Sequence, residues 1–254
     1  MSREKLLKTQ PRSPNARRLR ELMLDYHAFR NERRNYPLRP QLDALAQWQA
    51  GRLRETHADL YRSPAYQEGL DFLLEDLYDT SNFERRDDDV ERVFPVMVRM
   101  LPDSALYTVA RLVELNLLSQ KLDMELADIL FAEMAADVIN PDNYAEAYRR
   151  SDRHQDRLHQ IQLVANIGDD LQTYVESRTL RFALRVTERP AEMAGLGKLH
   201  GFLRRGMHAF RAMGDVDKLL SRIIERETWV LEQMMAGNAL PVTLPPNFYA
   251  ANHL

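Results

Sequence analysis

The longest stretch with apolar residues at helical spacing most constrains how this chain can fold. It follows Leu101-Pro102-Asp103 and reaches about Ile139. Its apolar residues form two stripes, one with Leu112, Leu115, Leu122, Leu126 and Ile129, the other with Val109, Val113, Leu117, Met124, Phe131 and Met134. A helix that is apolar on two sides packs against neighbours on two sides. The pattern therefore predicts a long central helix within a bundle.

The composition favours helices in the rest of the chain as well. Only 9 glycines and 12 prolines interrupt 254 residues, Leu, Ala, Arg, Glu and Met are abundant, and runs of β-branched residues are almost absent. Such a composition is typical of helices and not of strands. We predict an all-α protein, a single multi-helix bundle of about eight helices with a long central helix and a C-terminal helical hairpin.

Residue pairs that commonly begin or end helices divide the chain. Ser13-Pro14 reads as an N-cap followed by proline in the first turn, and Asn140-Pro141 ends the central helix. Gly214-Asp215 separates the hairpin helices, and Gly237-Asn238 stops the second of them. The apolar stripes of the hairpin are Leu199, Phe202, Leu203, Met207 and Phe210 in the first helix, and Val216, Leu219, Leu220, Ile223, Ile224 and Leu231 in the second.

These boundaries predict three parts of the chain. Residues 1–12 form a loose basic N-terminal arm, residues 13–237 form the helical bundle domain, and residues 238–254 form a Pro-rich C-terminal strap. The strap is expected to be extended and not helical, because Pro241, Pro245 and Pro246 lie among its apolar residues. Packing of the strap on the bundle is favoured over its reservation for a partner.

Several classes of protein are excluded or disfavoured by simple absences in the sequence. The chain has no cysteine, which excludes disulfide frameworks, thiol nucleophiles and zinc ribbons. No run near twenty residues is free of charge, and the first thirty residues contain no unbroken apolar segment. We therefore expect no membrane contact and a cytoplasmic location.

Charge is unevenly distributed along the chain. Residues 1–40 carry 11 Lys and Arg against 4 Asp and Glu, whereas residues 41–150 carry 11 against 22. The basic segment could contact nucleic acid through Arg12, Arg17, Arg18, Arg20, Arg33 and Arg34. Intramolecular pairing with the acidic body explains the same excess, and we consider nucleic-acid binding the less favoured alternative.

Metal and haem chemistry is possible in helical bundles, but the sequence offers few candidates. No Glu-x-x-His motif of the di-iron type is present, and Asp156 and His159 form the nearest equivalent. A metal enzyme resembling haem-oxygenase-like bundles would use Glu75, Glu114 and His159. His200 or His208 could be an axial haem ligand. Structural ion pairs are favoured over all of these, so we expect no catalytic residue, no metal and no cofactor.

The most unusual segment runs from Phe72 to Arg92, where acids and arginines crowd around a short turn. Its polar residues with a possible functional or structural role are Glu75, Asp76, Tyr78, Arg86, Asp87 and Arg92. A structural network between helices is the favoured interpretation. In it, Asp87 or Asp89 caps the following helix, and Arg86 or Arg92 reaches back to Glu75 or Asp76. A ligand or partner site built on the same network is the alternative.

The same segment resembles the signature of an uncharacterised bacterial family described by its FFLEE motif. The matching residues are Phe72, Leu74, Glu75, Leu77, Tyr78, Phe83, Arg86-Asp87, Arg92 and Pro95. Leu73 and Asp76 depart conservatively, and Asp79 stands where the family has glycine. The resemblance extends from about Pro64 to Leu126. It implies a helical bacterial protein and brings no activity, cofactor or catalytic residue with it.

These observations favour a non-enzymatic helical binding or regulatory protein that acts through protein–protein contacts, as a homo-oligomer or with another protein. Apolar residues at or beyond the last helix, Met234, Met235, Phe248 and Tyr249, are expected to be exposed and available for such contacts. The metal enzyme and the nucleic-acid-associated regulator are the two alternatives.

Overall fold

The computed structural model describes residues 2–78, 94–99, 101–178, 182, 185–186, 188–193 and 197–250. Regular secondary structure in these residues is entirely helical, which confirms the predicted fold class. Besides a helical stretch at residues 94–99, the helices are α1 (Ser2–Lys8), α2 (Pro14–Arg34), α3 (Arg39–Thr56), α4 (Ala58–Tyr61), α5 (Pro64–Tyr78), α6 (Asp103–Ala127), α7 (Pro141–Ser151), α8 (His154–Glu176), α9 (Glu188–Met193), α10 (Gly197–Ala212), α11 (Val216–Ala236) and α12 (Asn247–Ala250).

The predicted central helix is α6, and it packs on several sides. Helix α2 lies along it, α8 lies on another face, and α3 and α7 contact it as well. The helix continues beyond Ala127 as a π-helical segment, Asp128–Glu133, and so ends before the predicted Ile139. The ending is made by Ala135, whose φ is 50°, and by a hydrogen bond from Ala136 N to Leu130 O.

The helix ends follow the predicted capping signals. The Ser13 side chain accepts a hydrogen bond from Ala16 N at 3.1 Å, and Asp215 Oδ1 accepts one from Lys218 N at 2.9 Å. Asn140 begins α7 with a capping box shared with Asn143. Gly237 ends α11 with φ 70°, a left-handed conformation that suits glycine.

The largest group of buried apolar residues lies where α3, α6, α7 and α11 meet. It includes Leu45, Leu126, Tyr144 and Leu231, and partly buried Trp48 and Trp229 pack against it. The predicted hairpin helices reach different neighbours, since α10 packs on α5 and α11 packs on α8. Around their junction, Phe210, Met213, Val216 and Leu219 share a second apolar group.

Both ends of the chain differ in detail from the sequence analysis. The arm expected to be loose contains helix α1, whose Leu6 is completely buried beside Leu19 and Phe94. The described part of the strap packs on the bundle as favoured, with Leu244 buried, but it includes the short helix α12 and is not wholly extended.

The predicted start of a helix near Asp87 lies outside the described residues. Helical residues 94–99 include Pro95 in their first turn, and Phe94 is completely buried. In the part of the chain that the structure describes, no helix is both long and apolar enough to cross a membrane.

Candidate functional site

The structure describes only part of the predicted polar cluster in the FFLEE-like segment. Glu75, Asp76 and Tyr78 belong to the last turns of α5, but their side chains lie outside the described residues, as do Arg86, Asp87 and Arg92. Their role as a network or a site therefore stays a prediction.

A different cluster of charges is buried where the α3–α4 junction meets α11. Arg52 Nη1 donates to both carboxylate oxygens of Glu227, at 2.7 and 2.6 Å. His57 Nε2 lies 2.9 Å from Glu227 Oε1. The His57 side chain is 4% exposed and that of Glu227 is 17% exposed. One carboxylate therefore neutralises Arg52 inside the bundle and orients the imidazole.

The next residue of α11 forms a second buried ion pair at the same junction. Arg226, only 1% exposed, donates through Nη1 and Nη2 to the two oxygens of Asp59, each at 2.7 Å. It also donates to Thr56 O and to Phe248 O of the strap. Two arginines and two carboxylates thus join three parts of the chain. We call Arg52, His57, Asp59, Arg226 and Glu227 the junction cluster.

A chain of polar side chains lies nearby and reaches the central helix. Gln49 Nε2 donates to Asp123 Oδ1 at 3.1 Å and to the Tyr144 hydroxyl at 3.3 Å. The Tyr144 hydroxyl donates to the Tyr148 hydroxyl at 3.0 Å. Arg157 lies 4.4 Å above the Tyr148 ring and 3.8 Å from Asp123. Charges on α6 and α8 are thereby matched across the core.

The electrostatics of these residues favour fixed protonation states at neutral pH. Burial raises the pKa of Glu227, but Arg52 and His57 outweigh it and lower that pKa to about 2. Burial raises the pKa of Tyr144 well above its ordinary value, so the phenol stays protonated. Burial also raises the pKa of Asp123, against the opposing effect of Arg157. An ionised carboxylate that already accepts hydrogen bonds from a buried arginine is a poor nucleophile and a poor base.

Two atoms of the junction cluster have no hydrogen-bond partner among the described residues. They are His57 Nδ1 and Arg52 Nε, and both are buried. Each of these side chains contacts Glu227 through another nitrogen. The charge of Arg52 is therefore neutralised, but not every buried polar atom of the cluster has a hydrogen bond. This arrangement suits a structural junction that fixes helix register.

The sequence contains a signal for the junction cluster that the sequence analysis missed. The apolar stripe of α11 passes through Leu219, Leu220, Val230 and Leu231, and the positions one heptad after the first two are Arg226 and Glu227. The buried face of α3 carries Gln49 and Thr56 beside Leu42 and Leu45 in the same way. Polar residues on an apolar stripe predict buried polar contacts, although the partner of each residue is set only by the fold.

The structure brings together two of the three residues considered for a metal site. His159 Nε2 lies 3.2 Å from Glu114 Oε1, but Arg18 Nη2 contacts the other oxygen of Glu114 at 2.6 Å. Burial would raise the pKa of Glu114, and Arg18 and His159 outweigh it, so the net shift is downward. The side chain of Glu75, the third candidate, is outside the described residues. Across the ranges described, no group of three or more acidic or histidine side chains could hold a metal ion.

The two histidines considered for haem stand in different surroundings. His200 is buried on α10, whereas His208 is exposed and its Nδ1 lies 2.7 Å from Glu68 Oε1 on α5. An imidazole that pairs with a carboxylate across two helices has a structural use, so His208 is better explained as a surface contact than as an axial ligand.

Several arginines of the basic segment are used within the chain. Arg18 pairs with Glu114, Arg33 donates to the Gln120 side chain, and Arg20 donates to Thr9 O. Arg17 donates to Arg12 O. These contacts account for part of the local positive charge by intramolecular bonding, which was the favoured interpretation.

Exposed apolar side chains are concentrated between α8 and the middle of α10. Of eleven large hydrophobic residues that are exposed in the described ranges, four lie between residues 182 and 203: Phe182, Val186, Met193 and Leu203. Met193 is 83% exposed and Leu203 is 47% exposed, although Leu203 was assigned to an apolar stripe. Helix α9 packs on α10, and Arg204 Nη1 bonds Glu188 Oε1 at 3.0 Å. We call these four residues the apolar surface.

Most of the apolar residues at or beyond the end of α11 are less exposed than predicted. Met234 is 2% exposed within the main core, so the expectation that it is available for contacts is wrong. Met235 and Phe248 are partly buried against the same core, and the Phe248 ring lies 5.7 Å from that of Trp229. Of the four residues, Tyr249 is the exposed one, at 38%. The strap covers Met234 and Met235. The apolar periodicity of α11 could not indicate this, because the strap is not part of that helix.

Comparison with known proteins identifies a family. The model of a family described as a domain of unknown function (DUF8198) matches residues 28–241, most of the chain. The junction cluster and the apolar surface both fall within that range. No curated protein and no solved structure matches the chain. The chain therefore belongs to the DUF8198 family.

Proposed function

We propose that this protein is a non-enzymatic helical binding or regulatory protein that acts through protein–protein contacts. The observation that carries the proposal is the apolar surface, where Phe182, Val186, Met193 and Leu203 are 47 to 83% exposed within one short part of the chain. Large apolar residues scattered singly over a surface are ordinary, whereas a contiguous apolar patch is typical of interaction sites. These four residues lie close in sequence, and our proposal is that they form such a patch. The partner is a second copy of the chain or another protein in the cytoplasm.

The junction cluster supports the non-enzymatic part of the proposal. Its ionised groups face one another: Glu227 contacts Arg52 and His57, and Asp59 contacts Arg226. Catalytic acids and bases need a proton that can be exchanged near neutral pH, and a carboxyl with a pKa of about 2 has none to exchange there. These residues are better suited to holding α3, α4 and α11 in register.

We also infer from the resemblance of residues 72–95 that the protein is bacterial and related to the FFLEE-motif family. Glu75, Arg86 and Asp87 lie in the segment that carries this resemblance. The resemblance brings no activity with it, so the binding role rests on the apolar surface alone.

The proposal is tested by polar substitution on the apolar surface. Met193→Ser combined with Leu203→Ser removes two exposed side chains, and neither change opens a cavity in the core. Sedimentation velocity over a wide concentration range reports self-association, and affinity capture from cells of the source organism reports other partners. We expect the double variant to form a smaller assembly than the wild-type protein, or to lose a protein that the wild-type protein captures.

Val138→Ser provides the matched control, because Val138 is 74% exposed and lies far along the chain from the apolar surface. This variant should associate like the wild-type protein. The proposal is contradicted if the wild-type protein and the double variant form assemblies of the same size and capture the same proteins. Metal or another cofactor retained by the purified protein in native mass spectrometry would contradict its non-enzymatic part.

A further inference from the structure

We propose that residues 238–250, the described part of the C-terminal strap, are exchanged between two copies of this chain, so that each copy's strap fills the groove beside α11 of the other. Domain swapping of this kind reproduces in a dimer the contacts that the strap makes within one chain. The inference concerns a different part of the molecule from the apolar surface and does not depend on the proposed function.

The first reason is the conformation of the segment that connects α11 to the strap. Gly237 has φ 70° and Leu240 has φ 52°, so two of four consecutive residues are left-handed. Leucine adopts this conformation only at an energetic cost, and the Leu240 side chain, 69% exposed, makes little compensating contact. A short connection under strain favours swapping, because the strain is released when the connection opens.

The second reason is the nature of the contacts that hold the strap. Leu244 is buried in the main core, and partly buried Val242 and Phe248 pack against it. Residues 238–250 contain no Lys, Arg, Asp or Glu. The strap is therefore held by apolar packing that an identical strap from another copy satisfies equally well.

The third reason is the anchor at the far end of the strap. Phe248 O accepts a hydrogen bond from Arg226 Nη2 at 3.0 Å, and Arg226 lies 5.3 Å from the Tyr249 ring centroid. The acceptor is a backbone carbonyl, and Arg226 keeps its two bonds to Asp59 when the strap leaves. The groove thus remains formed while the strap moves from one copy to another.

The absence of cysteine from the natural chain allows a direct test with single introduced cysteines. Trp229→Cys in one chain and Phe248→Cys in a second replace two rings whose centroids are 5.7 Å apart. The two variants are unfolded together, refolded and treated with a short bis-maleimide. We expect a cross-linked species of two-chain mass in the mixture and not with either variant alone.

Two matched samples make the cross-linking result interpretable. The double variant Trp229→Cys/Phe248→Cys should cross-link whether or not straps are exchanged, which shows that the groove forms in the variants. Mixed Arg18→Cys and Glu114→Cys chains should not cross-link, because that contact lies within one chain and involves neither the strap nor the apolar surface. Cross-linking confined to the double variant's single-chain mass overturns the proposal.

Hinge variants of the otherwise natural chain give an independent readout that needs no cysteine. Leu240→Gly relieves the strain of the closed form and should weaken the dimer about tenfold. Gly237→Ala adds strain to the closed form and should strengthen the dimer by a similar factor. A wild-type protein that stays monomeric at high concentration overturns the proposal, and so does a dimer whose dissociation constant neither variant changes.

Discussion

Two glutamates of α11 pair with histidines over nearly equal distances, but only one of them is buried. Glu227 Oε1 lies 2.9 Å from His57 Nε2, and Glu232 Oε1 lies 2.8 Å from His154 Nε2. The side chains of the first pair are 17% and 4% exposed, and those of the second are 49% and 30% exposed. Equal geometry therefore does not imply equal energy, since solvent screens the outer pair and not the inner one.

The two glutamates also differ in the side chains that each one contacts. Glu227 also receives two hydrogen bonds from Arg52, whose side chain is 10% exposed. Glu232 faces His154 at a position where water can replace either partner. A buried ion pair adds little compared with apolar packing, but removal of one partner leaves the other charge without compensation. The inner pair is thus the more sensitive to substitution.

The largest expected effect is the loss of the Glu227 charge. Glu227→Gln keeps the size of the side chain and leaves the Arg52 guanidinium buried without a counterion, so we expect the free energy of unfolding to fall by about 3 to 5 kcal/mol. Urea denaturation with an unchanged slope measures this loss. The matched variant Glu232→Gln should cost less than about 1 kcal/mol. Equal effects of the two substitutions would show that burial does not distinguish the pairs.

A similar but smaller effect is expected from acid, which protonates the same carboxyl without a mutation. Burial works to raise the pKa of Glu227, while Arg52 and His57 lower it from 4.5 to about 2. A carboxyl whose pKa is lowered on folding stabilises the fold above its unfolded pKa. That stabilisation, about 3 kcal/mol from the shift, is lost as the pH falls from about 4.5 through 2.

The experiment compares the wild-type protein with Glu227→Gln at successive pH values. The difference between their free energies of unfolding should be largest above pH 5 and should shrink steadily as the pH falls toward 2, because the wild-type protein alone loses this contribution. Glu232→Gln provides the reference, since its difference from the wild-type protein should stay small throughout. A constant Glu227→Gln difference across this range would rule out a strongly lowered pKa.

The fold class and most helix ends could be predicted from the sequence because they depend on local chemistry. The caps at Ser13, Asn140 and Asp215 need only one suitable side chain near its own backbone. The end of the central helix was less predictable, because the π-helical turn at Asp128–Glu133 and the left-handed Ala135 leave no signal in apolar spacing. The burial of Leu6 on α1 was not predicted either, because it depends on Leu19 and Phe94, which are distant in sequence.

The candidate site was less predictable than the fold because its contacts are distant in sequence. Glu227 meets Arg52 and His57 across 170 residues or more, and Asp59 meets Arg226 across 167. Heptad spacing could identify Arg226 and Glu227 as buried, but not the side chains that they contact. Glu114 and His159 were both candidates for a metal site, and in the structure they contact each other while Arg18 pairs with Glu114.

A buried glycine and an exposed glycine can be compared in the same way. Of the changes in stability that we predict, those at these two glycines are the smallest. Gly206 on α10 lies under the ring of Phe72 on α5, and a methyl group there would come within 2.7 Å of the ring. Phe210 packs edge-on against the same ring at 6.0 Å, which limits how far the ring can move. Gly51 on α3 has nothing within 4 Å of that position.

The two alanine substitutions should therefore change stability in opposite directions. Gly51→Ala should raise the free energy of unfolding by about 0.5 to 1 kcal/mol, since alanine loses less backbone entropy in a helix. Gly206→Ala gains the same term but forces the Phe72 ring to shift, at a cost of about 1 to 3 kcal/mol, so a net loss of about 1 kcal/mol is expected. Thermal and urea unfolding of both variants measure these changes. A stabilised Gly206→Ala protein would mean that α5 and α10 pack more loosely than the position of Phe72 requires, because only then could the added methyl group be accommodated without moving the ring.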